Sequence, residues 1–217
     1  MIPSLTLVIW LACGSAPVAD SKPNFLIIVA DQQSPHVLGC AGDRVVLTPH
    51  LDQLAAGGVR FTATYCGSPL CVPSRMTFLT ARHCSEIAVW SNGCVLDSQT
   101  PTFPGALAAA GYETVLAGRM HFVGPDQRHG FTRRTIGDVG QLRGPPRERP
   151  SLLGSIPRAT TGQSKEAAET AGPGRTSYMA YDDAVTESAC QFLAEWDRQS
   201  ADKPLALVVG YVLPHCP

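Results

Sequence analysis

Cys71-Val72-Pro73-Ser74-Arg75 is the stretch of this chain whose residue types and spacing point most directly to chemistry. A thiol two residues before a proline and four before an arginine is a rare word. From average residue usage, C-x-P-S-R arises by chance on the order of once in a thousand chains of this size. Pro73 suits the first position of a helix, where its missing N–H costs nothing. Met76, Phe78 and Leu79 supply an apolar face behind it. Cys71 is therefore expected just ahead of a helix N-terminus, where free N–H groups and the dipole favour negative charge. Arg75, about one turn further in, can point back at whatever Cys71 carries. A buried or disulfide-bonded thiol is the plain alternative. A phosphatase-type thiolate is rejected, because that chemistry needs its arginine further along, so that a loop can wrap the phosphate.

Three more segments carry candidate groups. Asn24 to Ala30 (NFLIIVA) is a continuous apolar run that reads as a buried strand of a parallel sheet, and Asp31 falls at its carboxyl end. There the carboxylate can cap a loop or face a cation. Tyr112 to Ala117 (YETVLA) reads as another strand, followed by Gly118-Arg119-Met120-His121. Arg119 and His121, two apart in extended chain, share a face and can look into one pocket. Leu205 to Val212 (LALVVGYV) reads as a further buried strand leading to His215. In open α/β sheets, ligands bind outside the carboxyl ends of the strands. Asp31, Cys71, Arg119 and His215 are therefore expected along one rim.

The stretch Ser68 to Ala81, SPLCVPSRMTFLTA, resembles the signature of the sulfatase family. Leu79-Thr80 fit its tail, and Ala81 stands where the family usually has Gly. The resemblance implies that Cys71 is oxidised after synthesis to formylglycine by a formylglycine-generating or sulfatase-maturing enzyme, which reads Pro73 and Arg75. It implies a Ca2+ site, or one for another divalent cation, drawing on Asp31, Gln32 and modified Cys71. Gln32 replaces a usual second Asp and brings a carbonyl oxygen without charge. It also implies catalytic roles for Cys71, Arg75 and His121. Arg75 would hold the aldehyde hydrate, and His121 would be the base for its collapse. Arg119 and His215 would bind substrate, with Arg119 in place of the lysine of a Lys-x-His pair. Residues 122–131 (FVGPDQRHGF) and the ADQQ at Ala30 look most like the branch holding choline-sulfatase-like enzymes and phosphonate monoester hydrolases. The implied function is hydrolysis of small-molecule sulfate monoesters. Phosphonate or phosphate monoester hydrolysis on the same fold, or a truncated non-catalytic product, are the alternatives.

These groups need elements to position them. The implied fold class is α/β: a predominantly parallel sheet flanked by helices, alkaline-phosphatase-like, incomplete at the C-terminus. Thr48-Pro49 starts a helix with Leu51, Leu54 and Ala55 on its apolar face and Gly57-Gly58 as its stop. Val59 to Tyr65 reads as a strand, Thr102 to Ala110 as a helix stopped by Gly111, and Tyr178 to Ser200 as an amphipathic helix. Thr132 to Ser177 reads as an irregular insertion. His36, His50 and His83 stand in no ligand-spaced pair and read as surface or packing residues.

Net charge is −1 over 217 residues, so no global field recruits nucleic acid. The apolar run Leu5 to Ala12 is too short to span a bilayer and, with the small residues after it, reads as a signal peptide over residues 1–19. Residues 20–217 would then be the N-terminal portion of a sulfatase domain in a periplasmic or secreted protein. Of eight cysteines, none forms a CxxC pair, which argues against zinc. Cys84 and Cys94 are the nearest candidates for a disulfide; the sequence leaves open whether they pair.

Overall fold

The computed structural model describes residues 22–139, 169, 173–199 and 203–215. The expected signal peptide and much of the expected insertion lie outside the described residues. Four strands form one all-parallel sheet: β1 (Phe25–Val29), β2 (Glu113–Gly118), β3 (Arg133–Ile136) and β4 (Leu205–Gly210), in the spatial order β1-β4-β2-β3. Around it lie α1 (Pro49–Gly57), α2 (Cys71–Thr80), α3 (Cys84–Ile87), α4 (Phe103–Ala109) and α5 (Ser177–Gln199).

Each face of the sheet carries its own core. On one, Val72, Met76 and Leu79 of α2 pack with Leu116 of β2, Val208 of β4, and Met120 and Phe122 beyond β2. On the other, Tyr181, Val185, Ala189 and Phe192 of α5 cover Val115, Ala117, Leu207 and Val209. The sequence periodicity gives Val185, Ala189, Phe192, Leu193 and Trp196 as the stripe; the first three are buried and Trp196 packs against them, while Leu193 is exposed and Tyr181 joins from one turn earlier. Each such aliphatic or aromatic side chain contributes roughly 1.5–3 kcal/mol of burial. Every residue of β4 is buried, as its unbroken apolar run predicts.

Several expectations need correction. β1 forms where NFLIIVA predicts a strand, but it is an edge strand and largely exposed. Leu26 and Ile28 are 56% and 61% exposed, although they are in register with Leu207 and Val209, which α5 buries. The difference is cover, since α5 lies over β2, β3 and β4. Helix α1 begins and ends as read, yet Leu51 and Leu54 of its apolar face are exposed. Val59 to Tyr65 is not a strand; it alternates correctly but has no neighbour to pair with. Within the stretch read as irregular, Arg133–Ile136 is β3, pairing with β2. Helix α2 starts at Cys71, with Leu70 as N-cap, so Pro73 is in the third helical position. First-turn N–H groups have no intrahelical partner anyway, so the proline is equally tolerated there. Cys40, Cys66, Cys71, Cys84, Cys94 and Cys190 are free thiols.

Candidate active site

The parallel register brings three strand ends level, with Gly210 of β4 opposite both Val29 of β1 and Gly118 of β2. Arg119 leaves β2 directly, its N–H donating to the Gly210 carbonyl at 2.8 Å. A Cβ on Gly118 (φ +89°) or on Gly210 would collide with this crossing backbone, so both positions require glycine. Asp31 lies two residues beyond β1, and Asp138 two beyond β3. The start of α2 then delivers Cys71, and Arg75 one turn on, to the same rim. Its N-terminus is partly filled by Asn92, whose Oδ1 accepts the Val72 N–H at 3.0 Å.

A continuous ionic network joins these groups. Asp31 Oδ2 accepts from Arg119 Nε at 2.7 Å and lies 3.5 Å from Arg75 Nη2. Asp31 Oδ1 is 4.0 Å from Cys71 Sγ. Arg75 Nη1 donates to the Arg119 carbonyl at 2.7 Å. Arg119 Nη1 reaches Asp138 Oδ1 at 3.4 Å, and its Nη2 reaches His121 Nδ1 at 2.9 Å. The second oxygen of Asp138 accepts the His121 backbone N–H. Asp31, Arg75, Arg119 and Asp138 are all buried, Asp138 at 1% exposure. Two guanidiniums thus face two carboxylates in a site with little water, the condition under which ion pairs must be well bonded to be tolerated.

The electrostatics follow from this packing. Burial pushes the Arg75 guanidinium below its ordinary pKa, with Asp31 opposing. Burial acts the same way on Arg119, but Asp138 and Asp31 together outweigh it and hold Arg119 above its ordinary value. His121 is lowered by burial and then by Arg119, against the pull of Asp138.

Of the expected site residues, Asp31, Cys71, Arg75, Arg119 and His121 converge. Gln32 is exposed, in the left-handed region at φ 61°. His215 lies beyond β4 with its ring 6.0 Å from that of Tyr178. The loop leading to it is pinned by Asp182 of α5, whose two oxygens accept the N–H groups of Val212 and Leu213 at 2.9 Å each. His129, to which the sequence gives no role, is a buried packing residue 4.7 Å from the Phe122 ring. His36, His50 and His83 are exposed, as expected. Asp138 and Asn92 were not legible as site residues. The only signal for Asp138 is an acidic residue two past a strand, and that strand, RRTI, has one apolar residue.

Residues 23–217 match the family model described as Sulfatase. The chain belongs to the sulfatase family. It is 34% identical over 214 residues to the choline-sulfatase of Rhizobium meliloti (strain 1021), covering 92% of this chain and 40% of that protein. Against arylsulfatase A of Bos taurus the identity is 42% over 142 residues, 59% of this chain and 27% of the relative. Among solved structures, the phosphonate monoester hydrolase of Agrobacterium radiobacter superposes with a TM-score of 0.63 at 24% identity, covering 89% of this chain and 41% of that one. A protein solved with its substrate D-glucosamine-2-N,6-O-disulfate superposes at 0.64 and 22% identity, over 90% of this chain and 35% of that one. The fold is thus that of sulfatases, and the chain spans well under half the length of these relatives.

The resemblance in sequence implies a calcium ion at this rim. Calcium takes six to eight oxygen ligands. Asp31 Oδ2 is already engaged by two arginines, and among the described residues no group of three or more His, Cys, Asp or Glu side chains could hold a metal ion. Asp31, Gln32 and Cys71, the set expected from the sequence, therefore do not complete a calcium cage here. No described helix is long and apolar enough to cross a membrane.

Proposed function

We propose that this chain carries the nucleophile side of a sulfuric ester hydrolase acting on small-molecule sulfate monoesters, with Cys71 matured to formylglycine. The observation that carries the reading is the placement of Cys71. It sits in the first turn of α2, only partly buried, 4.0 Å from Asp31 and beside the arginine network at the carboxyl rim of the sheet. A thiol there is open to a maturing enzyme, and Arg75 lies one turn on, with its guanidinium at the same carboxylate. An aldehyde at position 71 would supply, as its hydrate, one hydroxyl to take up the sulfuryl group as the ester S–O bond breaks and the alcohol leaves, and a second whose loss of a proton re-forms the aldehyde as the C–O bond to sulfate breaks.

The chain's own residues do the positioning. Arg75 and Arg119 present fixed positive charge to the sulfuryl oxygens, and a buried cation aimed where charge develops is worth more than one in water. Arg119, whose three guanidinium nitrogens are engaged by Asp31, Asp138 and His121, contributes a fixed charge and orients those neighbours, which the single ammonium of a lysine cannot do. Asp31 and Asp138 hold both guanidiniums in place. His215, carried by the segment after β4, is the residue proposed to bind substrate on that side of the sheet. Export to the periplasm or outside the cell is inferred from the apolar run Leu5 to Ala12 and the small residues that follow it. The assay is hydrolysis of para-nitrophenyl sulfate by chain co-produced with a maturing enzyme. Turnover that disappears in Cys71→Ala is expected; equal turnover in that variant would overturn the reading. Parallel rates on a phosphonate monoester rank the two ester classes.

A further inference from the structure

We propose that Asp182 of α5 is a positioning residue of this site: it fixes the segment after β4, and with it His215, without touching substrate itself. The argument begins where the strand stops. β4 ends at Gly210, and the N–H groups of Val212 and Leu213 lie beyond its ladder. Both donate to Asp182, Val212 to Oδ1 and Leu213 to Oδ2, at 2.9 Å each. Two successive amides thus occupy both oxygens of one carboxylate. A side-chain amide, with a single acceptor oxygen, cannot serve both. The peptide between Val212 and Leu213 is also held at its other end. Its carbonyl accepts the His215 N–H at 3.0 Å, closing the turn that presents His215.

The helix that carries Asp182 holds the neighbouring segment too. The Tyr181 hydroxyl donates to the Gly137 carbonyl at 2.7 Å, one residue ahead of Asp138, which braces Arg119. One turn on, the Thr186 hydroxyl lies 3.0 Å from that of Tyr211. One turn earlier, the Tyr178 ring meets that of His215 edge to face. Consecutive residues of α5 therefore tie down the segments after β3 and after β4. The helix is itself fixed to the sheet through Val185, Ala189 and Phe192. It thereby sets the spacing between Arg119 and His215.

A carboxylate is an unfavourable group to bury. Asp182 is buried, and burial raises its pKa above the ordinary 3.8 against the effect of the two N–H bonds. Such a group is tolerated where hydrogen bonds satisfy it, and here both of its oxygens serve the one segment that leads to His215. That His215 binds substrate rests on the function proposed above; the holding of its segment by Asp182 does not.

The test uses the isotope-labelled full chain and Asp182→Asn. In the unaltered chain, couplings across the hydrogen bonds should link the Val212 and Leu213 amide nitrogens to the Asp182 carboxyl carbon. In Asp182→Asn, hydrogen exchange at those two amides should speed up by about tenfold or more, as a local opening does. Exchange at Val208 in β4 should stay unchanged, and the His215 ring signals should shift. In the turnover assay, KM for para-nitrophenyl sulfate should rise about tenfold with kcat changed less, the mark of lost binding. Absent couplings, unchanged exchange at both amides, an unmoved His215 ring or an unchanged KM would overturn the proposal. So would loss of protection spread through β4, which marks a merely structural role. Should Asp182→Asn fail to fold, the couplings and the nuclear Overhauser contacts between the His215 and Tyr178 rings decide in the unaltered chain. Absence of turnover in the matured, unaltered chain would defeat the sulfatase reading and leave the exchange result standing.

Discussion

The two sides of β4 show what a covering helix does to the same kind of sequence. Leu207 and Val209 of β4 and Leu26 and Ile28 of β1 stand in paired rows on one face of the sheet. The first pair is buried under α5, and the second is exposed. The contrast extends outward. The β2–β4 side closes over an ionic network in which each charge meets an opposite one. The flank from β1 through α1 to Leu70 presents Leu51, Leu54, Val59, Phe61 and Tyr65 to solvent. Hydrophobic composition marks a segment as able to bury itself; only a neighbouring element makes it do so.

The largest expected effect lies in the ionic network. Asp138→Ala leaves two buried guanidiniums sharing the single carboxylate of Asp31 and takes the acceptor from the His121 N–H, and should cost about 3–5 kcal/mol of unfolding free energy in urea titration. The exposed pair Lys203–Glu113, at 2.6 Å, is the contrast; Glu113→Gln should cost under about 1 kcal/mol. Next comes the paired row. Leu207→Ala should cost about 2–5 kcal/mol in the same titration, whereas Leu26→Ala, across the ladder, should change stability by no more than about 0.5 kcal/mol. Equal losses at the two positions would break the comparison.

A pH titration sharpens it further. Burial holds His129 below its ordinary value of 6.5, with Asp126 opposing. The unfolded chain therefore takes up the proton first as pH falls. The stability this residue lends is complete above the unfolded pKa and is lost as pH drops from 6.5 towards the folded pKa. Urea midpoints measured across that window should fall in the unaltered chain and fall less steeply in His129→Gln. The smallest effect is at the end of α2. Ala81 caps the helix in the left-handed region at φ 53°. Ala81→Gly should raise stability by about 1 kcal/mol, read as a higher urea midpoint.

The contrast between flanks also explains what the sequence could and could not tell. β2, β4, α4 and α5 were legible because each carries the period of its own structure and is covered accordingly. β1 was legible as a strand but not as an edge, since exposure depends on what packs against it. Val59 to Tyr65 has the alternation of a strand without a partner. β3 was hidden because Arg133-Arg134-Thr135 has no apolar period and is held by pairing with β2. Asp31, Cys71, Arg75, Arg119 and His121 were legible because their spacing follows strand ends and a helix start. Asp138 was not, because it depends on the unread strand.

The central claim is that position 71 becomes an aldehyde beside Asp31 and the paired arginines. It is tested most directly by the mass of the peptide containing Cys71, from chain co-produced with a sulfatase-maturing enzyme. The account predicts the mass of formylglycine, with the side-chain thiol replaced by a carbonyl. An unmodified thiol at Cys71, in cells where a control sulfatase is fully converted, would contradict it.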